Sequence, residues 1–506
     1  MALLVGLDIG TTSTVGVLAD AGGRVLATAA RDCDLHCDHP AWAEQDPEQW
    51  WANACAITRD LLAGRAARDV AAIGVTGMVP ALVCLDVEGR VLRRSIQQND
   101  ARTGREIAEL ACRIPAAEFF ARTGNGINQQ LVAPKLRWLA RHEPEVVRRA
   151  ATIQGSYDFI AGRLAGVRAV ERNWALEAGF VDVGRGALDP GLIALGGIDP
   201  TLVPPVRDGH TVIGRVTAAA AQATGLAAGT PVVAGCADHV ASAFVAGVVA
   251  EGDLLIKFGG AGDVLLATGR ARPDPRLFLD HHIVPGLWLT NGCMAASGSV
   301  LKWLARTFAA AEVGAAAELG SSVYARLDRL AAAVPPGAGG VVLLPYFLGE
   351  KTPIHDPDAR GTIVGLGLHH GLGHVWRAAL EAVVYGFRHH VEVFADAGLP
   401  VARVVASDGG SASRIWMQIA ADVLGRPVQL VVGHPGSSLG AAFVAGMGVG
   451  VLDDWGAIGR FVRPGPVIAP DPASRAAYDE GYALYRATYE RLKPLYPRFA
   501  ALGARP

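Results

Sequence analysis

Apolar residues run from Leu3 to Leu18 and are interrupted by Asp8-Ile9-Gly10-Thr11-Thr12-Ser13, a pattern that predicts a β-hairpin closed by a Gly/Thr turn. About halfway along the chain, Leu254-Leu255-Ile256-Lys257-Phe258, then Gly259-Gly260-Ala261-Gly262, then Val264-Leu265-Leu266 repeat that design, as if a duplicated unit restarts there. Between and after the hairpins, strand and helix periods alternate. A third strand is expected at Val25 to Ala29, helices at Glu48 to Ala63, Gly104 to Cys112 and Ala133 to Arg141, and strands at Ala71 to Val75 and Leu82 to Leu85. From Val375 to Phe394 apolar residues recur at helical spacing until Gly398 and Pro400. Strand Val401 to Ala406, a helix around Trp416 and Ile419, strand Val428 to Val432 and helix Leu439 to Ala445 then give a β-α-β-α order.

This organisation predicts an α/β protein of two related halves, 1–247 and 248–450, followed by a helical tail, 451–506, that packs on the core. A length of 506 residues agrees with more than one domain. Hydrophobic residues at 51% and charged residues at 19% exclude a disordered chain. Lys plus Arg total 46 and Asp plus Glu 48, with no block of like charge, which argues against nucleic acid as the main partner. The first apolar run carries Asp8 and no basic segment precedes it, so it does not read as a secretory signal. The apolar stretch 217–250 is broken by Gly225, Gly229, Pro231, Gly235 and Asp238 and does not read as a membrane span, so a cytoplasmic location is expected. Seven scattered cysteines suggest reduced thiols.

Several short motifs carry candidate chemistry. Backbone N–H groups in the turn Asp8-Ile9-Gly10-Thr11-Thr12 can hold phosphate oxygens, and a carboxylate at the strand end can hold Mg²⁺ through water. An ordinary hairpin turn has the same composition. Asp238 stands where the apolar run Val232 to Ala237 meets a helix, as a general base or as an N-cap. Asp408-Gly409-Gly410-Ser411 and Gly436-Ser437-Ser438-Leu439-Gly440 both join a strand to a helix, where free N–H groups favour a nucleotide's phosphates; close-packed connections look alike. Gly349-Glu350-Lys351-Thr352 lacks the earlier glycine of a P-loop, and Cys33, His36, Cys37 and His39 lack a second zinc-binding arm. His281-His282 and His389-His390 read as surface or helix-face pairs.

Together these residues resemble the FGGY family of carbohydrate kinases, especially its xylulokinase-like branch. The most specific match is Gly361 to Glu381, where Gly361, Ile363, Gly365, Leu366, His374, Val375, Ala378, Ala379, Leu380 and Glu381 fit the family's second signature. Asp8 to Thr12, His39-Pro40, Trp42 to Pro47, Asn99 to Arg102, Asp238, Gly409-Gly410, Trp416, Gln418 and Asp422 add to it. The resemblance implies two actin-like, ribonuclease-H-like ATPase domains around an interdomain cleft, with the sugar mainly on the first and ATP mainly on the second. It implies Asp238 as the base for a small ketose or polyol. Asp8, Gly10, Thr11 and Thr12 would serve phosphate and Mg²⁺. Gly259, Gly260, Gly409, Gly410, Ser411, Ser437 and Gly440 would serve ATP, and Met78, Val79, Pro80, Asp100 and His239 the sugar. A homodimer is one assembly it suggests.

Three departures accompany the match. Pro80 replaces a sugar-contacting imidazole, the turn Gly259-Gly260-Ala261-Gly262 lacks the family's two hydroxyls, and Val15 stands where Lys or Arg is common. They motivate a rival expectation, a catalytically weak nucleotide- and sugar-binding sensor on the same fold.

Overall fold

A computed structural model describes residues 2–433 and 436–503. Met1, residues 434–435 in the Gly-rich loop before Gly436, and 504–506 at the end of the expected tail lie outside the described residues. Both expected hairpins form, Leu3–Ile9 with Ser13–Asp20 and Asp253–Phe258 with Gly262–Thr268. Each is the middle of a seven-stranded sheet.

The two sheets share one pairing pattern. In the first, Val25–Asp32 and Ser13–Asp20 run antiparallel up to Leu3–Ile9, which pairs parallel with Val70–Gly77. Pro231–Val233 continues parallel, and Val212–Arg215 closes antiparallel. In the second, Trp288–Met294 and Gly262–Thr268 run antiparallel up to Asp253–Phe258, which pairs parallel with Arg403–Ser407. Val428–Val431 continues parallel, and Pro464–Ile468 closes antiparallel. The stretch 451–506, expected to be helical, therefore donates a strand. Its helix Arg475–Leu492 buries Tyr478, Tyr482, Tyr485 and Tyr489, and the Tyr346 and Tyr485 hydroxyls meet at 2.7 Å in the second core.

The helix Ser437–Gly448 lies between the second sheet's strands Val428–Val431 and Pro464–Ile468 in sequence yet packs on the first sheet. Glycine makes this approach feasible: a Cβ on Gly6 would stand 1.9 Å from the Ser438 carbonyl oxygen, and one on Gly74 2.2 Å from that of Ala441. The long helix Leu372–Asp396 buries the face the sequence assigned to it. Of the histidines expected at surfaces or on helix faces, His390 lies on the buried face of Leu372–Asp396 and His282 is buried off any helix; burial lowers both imidazoles to about 4. All seven cysteines are free. Among the described residues, no helix is long and apolar enough to cross a membrane.

Candidate active site

The carboxyl ends of the parallel strands of both sheets converge on a cavity of about 480 Å³. Clefts of this kind are where open α/β sheets bind ligands, because strand ends and helix starts leave polar backbone groups unpaired. From the first sheet come Asp8 and Thr11 of the hairpin, Met78 and Val79 after Val70–Gly77, and Asp238 and His239 at the start of the helix Asp238–Val245. From the second come Lys257, Asp263 and Asp408. Gly436 and Ser437 complete that end of the cavity.

Asp238 is not an N-cap. Ala237 occupies the cap, Asp238 is the first helical residue, and its Oδ1 accepts from the N–H of His239 at 2.6 Å. Its side chain is 35% exposed to the cavity, so it can reach a bound molecule. The His239 ring lies 3.1 Å from Asp280 Oδ2 and 3.5 Å from Asp238 Oδ1. Burial works against its charge, but the hydrogen bonds it donates to Asp238 and Asp280 and the charges of Asp280 and Glu177 hold it protonated, well above the usual histidine range. Burial, then the Asp280 charge, raise the Glu177 carboxyl well above its usual range. Asn291 Nδ2 donates to Asp280 Oδ2 at 2.5 Å, and Gln98 and Gln130 hydrogen-bond each other at 3.0 Å on the same cavity. This end thus presents carboxyl and amide groups to a ligand.

The other end is built for charge. Asp8 Oδ2 accepts from the Ser437 hydroxyl at 2.5 Å, while Oδ1 is buried with no hydrogen-bond partner among the described residues. Burial and the Asp238 charge push the Asp8 carboxyl up to about 7, against the Ser437 hydrogen bond and the Lys257 ammonium. The Lys257 ammonium lies 3.5 Å from Asp263 and 4.0 Å from Asp408.

Other residues singled out in the sequence lie away from the cavity wall. Asp100 is fully buried, both of its oxygens are taken by Arg102 and the N–H of Ala43, and it braces a loop outside the cavity lining. Pro80 is buried behind Val79, its carbonyl accepting from Lys135 at 3.4 Å. Gly440 packs helix on helix, since a Cβ there would stand 3.0 Å from that of Ala241. Gly410 faces Trp416 and Phe258 in the same sense. The hydroxyl and N–H of Ser411 both return to the Asp408 carbonyl, and the motif itself is a 3₁₀ turn, Gly409–Ala412, that ends one residue short of the helix Arg414–Leu424. Gly10, Thr12, Gly259 and Gly260 sit in the hairpin turns beside the cavity, outside its lining; Gly259 and Gly260 spend their carbonyls on the N–H groups of Gly298, Ser297 and Ser299. Conversely, Glu177, Lys257, Asp263, Asp280 and Lys351 line the cavity unforeseen. Only Lys257 left a trace in the pattern, as a charge inside an apolar strand.

The one group of three side chains among the described residues that could together hold a metal ion is Glu177, His239 and Asp280. Cys33, His36, Cys37 and His39 form no such group.

Comparison with known proteins places this geometry in a family. The model for the FGGY family of carbohydrate kinases, N-terminal domain, matches residues 3–245, and that for the C-terminal domain matches 260–449. The crystal structure of a xylulose kinase from Rhodospirillum rubrum is 52% identical and covers 98% of this chain and 99% of its own, with a TM-score of 0.92. The xylulose kinase of Escherichia coli K12 is 29% identical over 97% of this chain and 100% of its own. An autoinducer-2 kinase of Klebsiella pneumoniae is 30% identical over 97% and 94%. The two-domain α/β fold is that of sugar kinases and actin-like ATPases, and the activity that goes with it is phosphorylation of a sugar. The chain belongs to the FGGY family of carbohydrate kinases, on its xylulokinase-like branch.

Proposed function

We propose that the chain phosphorylates a small neutral ketose or polyol, a ketopentose such as xylulose or ribulose in the first place, from ATP and Mg²⁺ with Asp238 as general base. The observation that carries this reading is the placing of a part-exposed carboxylate, Asp238, between two chemically distinct ends of one cavity. On one side, Glu177, Asp280, Asn291, Gln98 and Gln130 offer both donors and acceptors, which suits hydroxyl groups. Asp238 and Asp280, two carboxylates against the one imidazolium of His239, disfavour a carboxylate or a sugar phosphate there. On the other side, Thr11, Ser437 and Lys257 suit phosphoryl oxygens.

The donor set also fits a divalent cation. The partnerless Oδ1 of Asp8 and its raised carboxyl are what a carboxylate shows when the charge it serves is missing, and a cation reached through water would satisfy both. Such a cation supplies charge neutralisation on the phosphate oxygens. Asp238 takes the proton of the acceptor hydroxyl as that oxygen attacks the γ-phosphorus. His239, held protonated by Asp280, keeps the Asp238 carboxylate aimed into the cavity. Met78 and Val79 form the apolar part of the acceptor wall.

The test is ADP release with Mg²⁺ and ATP across ketopentoses, ketohexoses, pentitols, tetritols, glycerol and sugar acids. Strong stimulation by one neutral compound is expected. Stimulation confined to a sugar acid would overturn the proposed acceptor class.

A further inference from the structure

The two hairpins occupy equivalent places in the two sheets. In the first, Asp8 pairs across with Val15 and sideways with Thr76; in the second, Lys257 pairs across with Asp263 and sideways with Ser407. Lys257 is therefore the structural counterpart of Asp8, and the duplicated scaffold presents an acid from one half and an ammonium from the other to the same cavity.

The setting of Lys257 is that of a poised cation and not of a surface lysine. Its side chain is only 19% exposed, and its ammonium makes two loose contacts, at 3.5 and 4.0 Å, rather than a tight ion pair. Burial opposes its charge, yet Asp263, Asp408 and Asp238 together outweigh burial and keep it protonated. Its field reaches Asp8 as well, so it lies within range of both the proposed base and the carboxylate of the phosphate turn. The two other cationic side chains on the wall are placed differently. His239 is engaged by Asp280 and Asp238, and the charge of Lys351 acts on Cys293 and Glu350. Near the phosphate turns, Val15 and the Gly259–Gly262 turn supply neither charge nor hydroxyl.

We propose that Lys257 is a catalytic residue that donates to the phosphoryl group in transit and neutralises its developing charge. This rests on the kinase reading above. In the step, the acceptor oxygen forms its bond to the γ-phosphorus and its proton passes to Asp238. The bond from that phosphorus to the bridging oxygen breaks, and ADP leaves with the electron pair. Lys257 stays protonated throughout and turns its ammonium from its loose contacts with Asp263 and Asp408 to hydrogen bonds with the phosphoryl oxygens.

The experiment compares wild type, Lys257→Met, Lys257→Arg and the double variant Lys257→Met/Asp263→Leu, each with its sugar KM, kcat and Mg·ADP affinity. Lys257→Met is expected to lower kcat about 10²- to 10³-fold, the usual effect of removing one preorganised donor. Its sugar KM and ADP affinity should stay within a few fold, and Lys257→Arg should retain part of the rate. The double variant removes both partners of the cross-strand pair; it is expected to fold as wild type and still lack the rate, and it replaces Lys257→Met should that protein not fold. A kcat within threefold of wild type in Lys257→Met, or recovery of the rate in the double variant, would overturn the role of Lys257. Absence of sugar phosphorylation in the wild type would instead overturn the kinase reading.

Discussion

The two sheets share one pattern of strand pairing around the same hairpin, yet they are filled in opposite ways. At the register position of Gly6 and its neighbour Gly74 in the first sheet, the second carries Leu255 and Val405, both fully buried. Two residues further on, the first carries Asp8 and the second Lys257. The glycines let the helix Ser437–Gly448 lie against backbone, which delivers Ser437 to Asp8. The large side chains of the second sheet make an ordinary core. Duplication supplied the scaffold, and a few residues at equivalent places divided the work between an acid-bearing and a cation-bearing half.

That contrast is most exposed to substitution at its glycines. Gly6→Ala should destabilise the protein by about 3 kcal/mol or more through overpacking against Ser438, and should lower kcat sharply in whatever protein remains folded, because the whole start of the helix Ser437–Gly448 is pushed off the cavity, a larger disturbance than loss of the Ser437 hydroxyl alone. Leu255→Ala should cost roughly 2–5 kcal/mol through a cavity while leaving kcat close to wild type. Urea unfolding and kcat on the two variants separate the cases; equal loss of kcat in both would dissolve the distinction between the sheets.

A smaller effect concerns one buried carboxyl from each half. Asp8 has Lys257 and Ser437 beside it, whereas Glu350, in the second half and outside the cavity lining, accepts only from the N–H groups of Ala295 and Lys351, with the Lys351 charge nearby. Burial raises the Glu350 carboxyl to about 8, against about 4.5 in an unfolded chain. The folded state thus binds this proton more tightly than the unfolded one. Its contribution is fully present below about pH 4.5 and is lost as the pH rises through 8. Glu350→Gln should therefore gain stability relative to wild type between pH 5 and pH 9, by up to roughly 5 kcal/mol. A difference that stays flat across that range in urea unfolding would contradict the assignment.

The smallest effect is expected at Ser437→Ala, which removes one hydrogen bond to Asp8. A two- to tenfold loss in kcat/KM for ATP, with sugar KM unchanged, corresponds to about 0.5–1.5 kcal/mol for such a bond.

Much of this was legible in the sequence. Hairpins announce themselves through local period and turn residues, so both halves, Asp8 and Asp238 could be placed from short stretches. The strand Pro464–Ile468 could not: Pro464, Gly465 and Pro466 read as a loop, and Pro is tolerated there because the strand is an edge. The polar acceptor wall was equally hidden, since Gln98, Glu177, Asp280 and Asn291 meet only through tertiary folding. Asp100 misled in the other direction. A polar loop motif looks available for ligand, and nothing local reveals that Arg102 folds back onto it. The most specific family signature, Gly361 to Glu381, also proves to be architecture: Arg377 bridges Glu381 and Tyr478 in the second core, away from the cavity lining.

The most direct measurement is turnover and Mg·ADP affinity of Asp238→Asn beside wild type, on the neutral sugar that stimulates ADP release. Loss of the base should lower kcat about 10²- to 10⁴-fold and leave ADP affinity within a few fold, because Asp238 stands between the acceptor end and the phosphate end without serving the nucleotide. Turnover close to wild type in Asp238→Asn would contradict the proposed chemistry of the cavity.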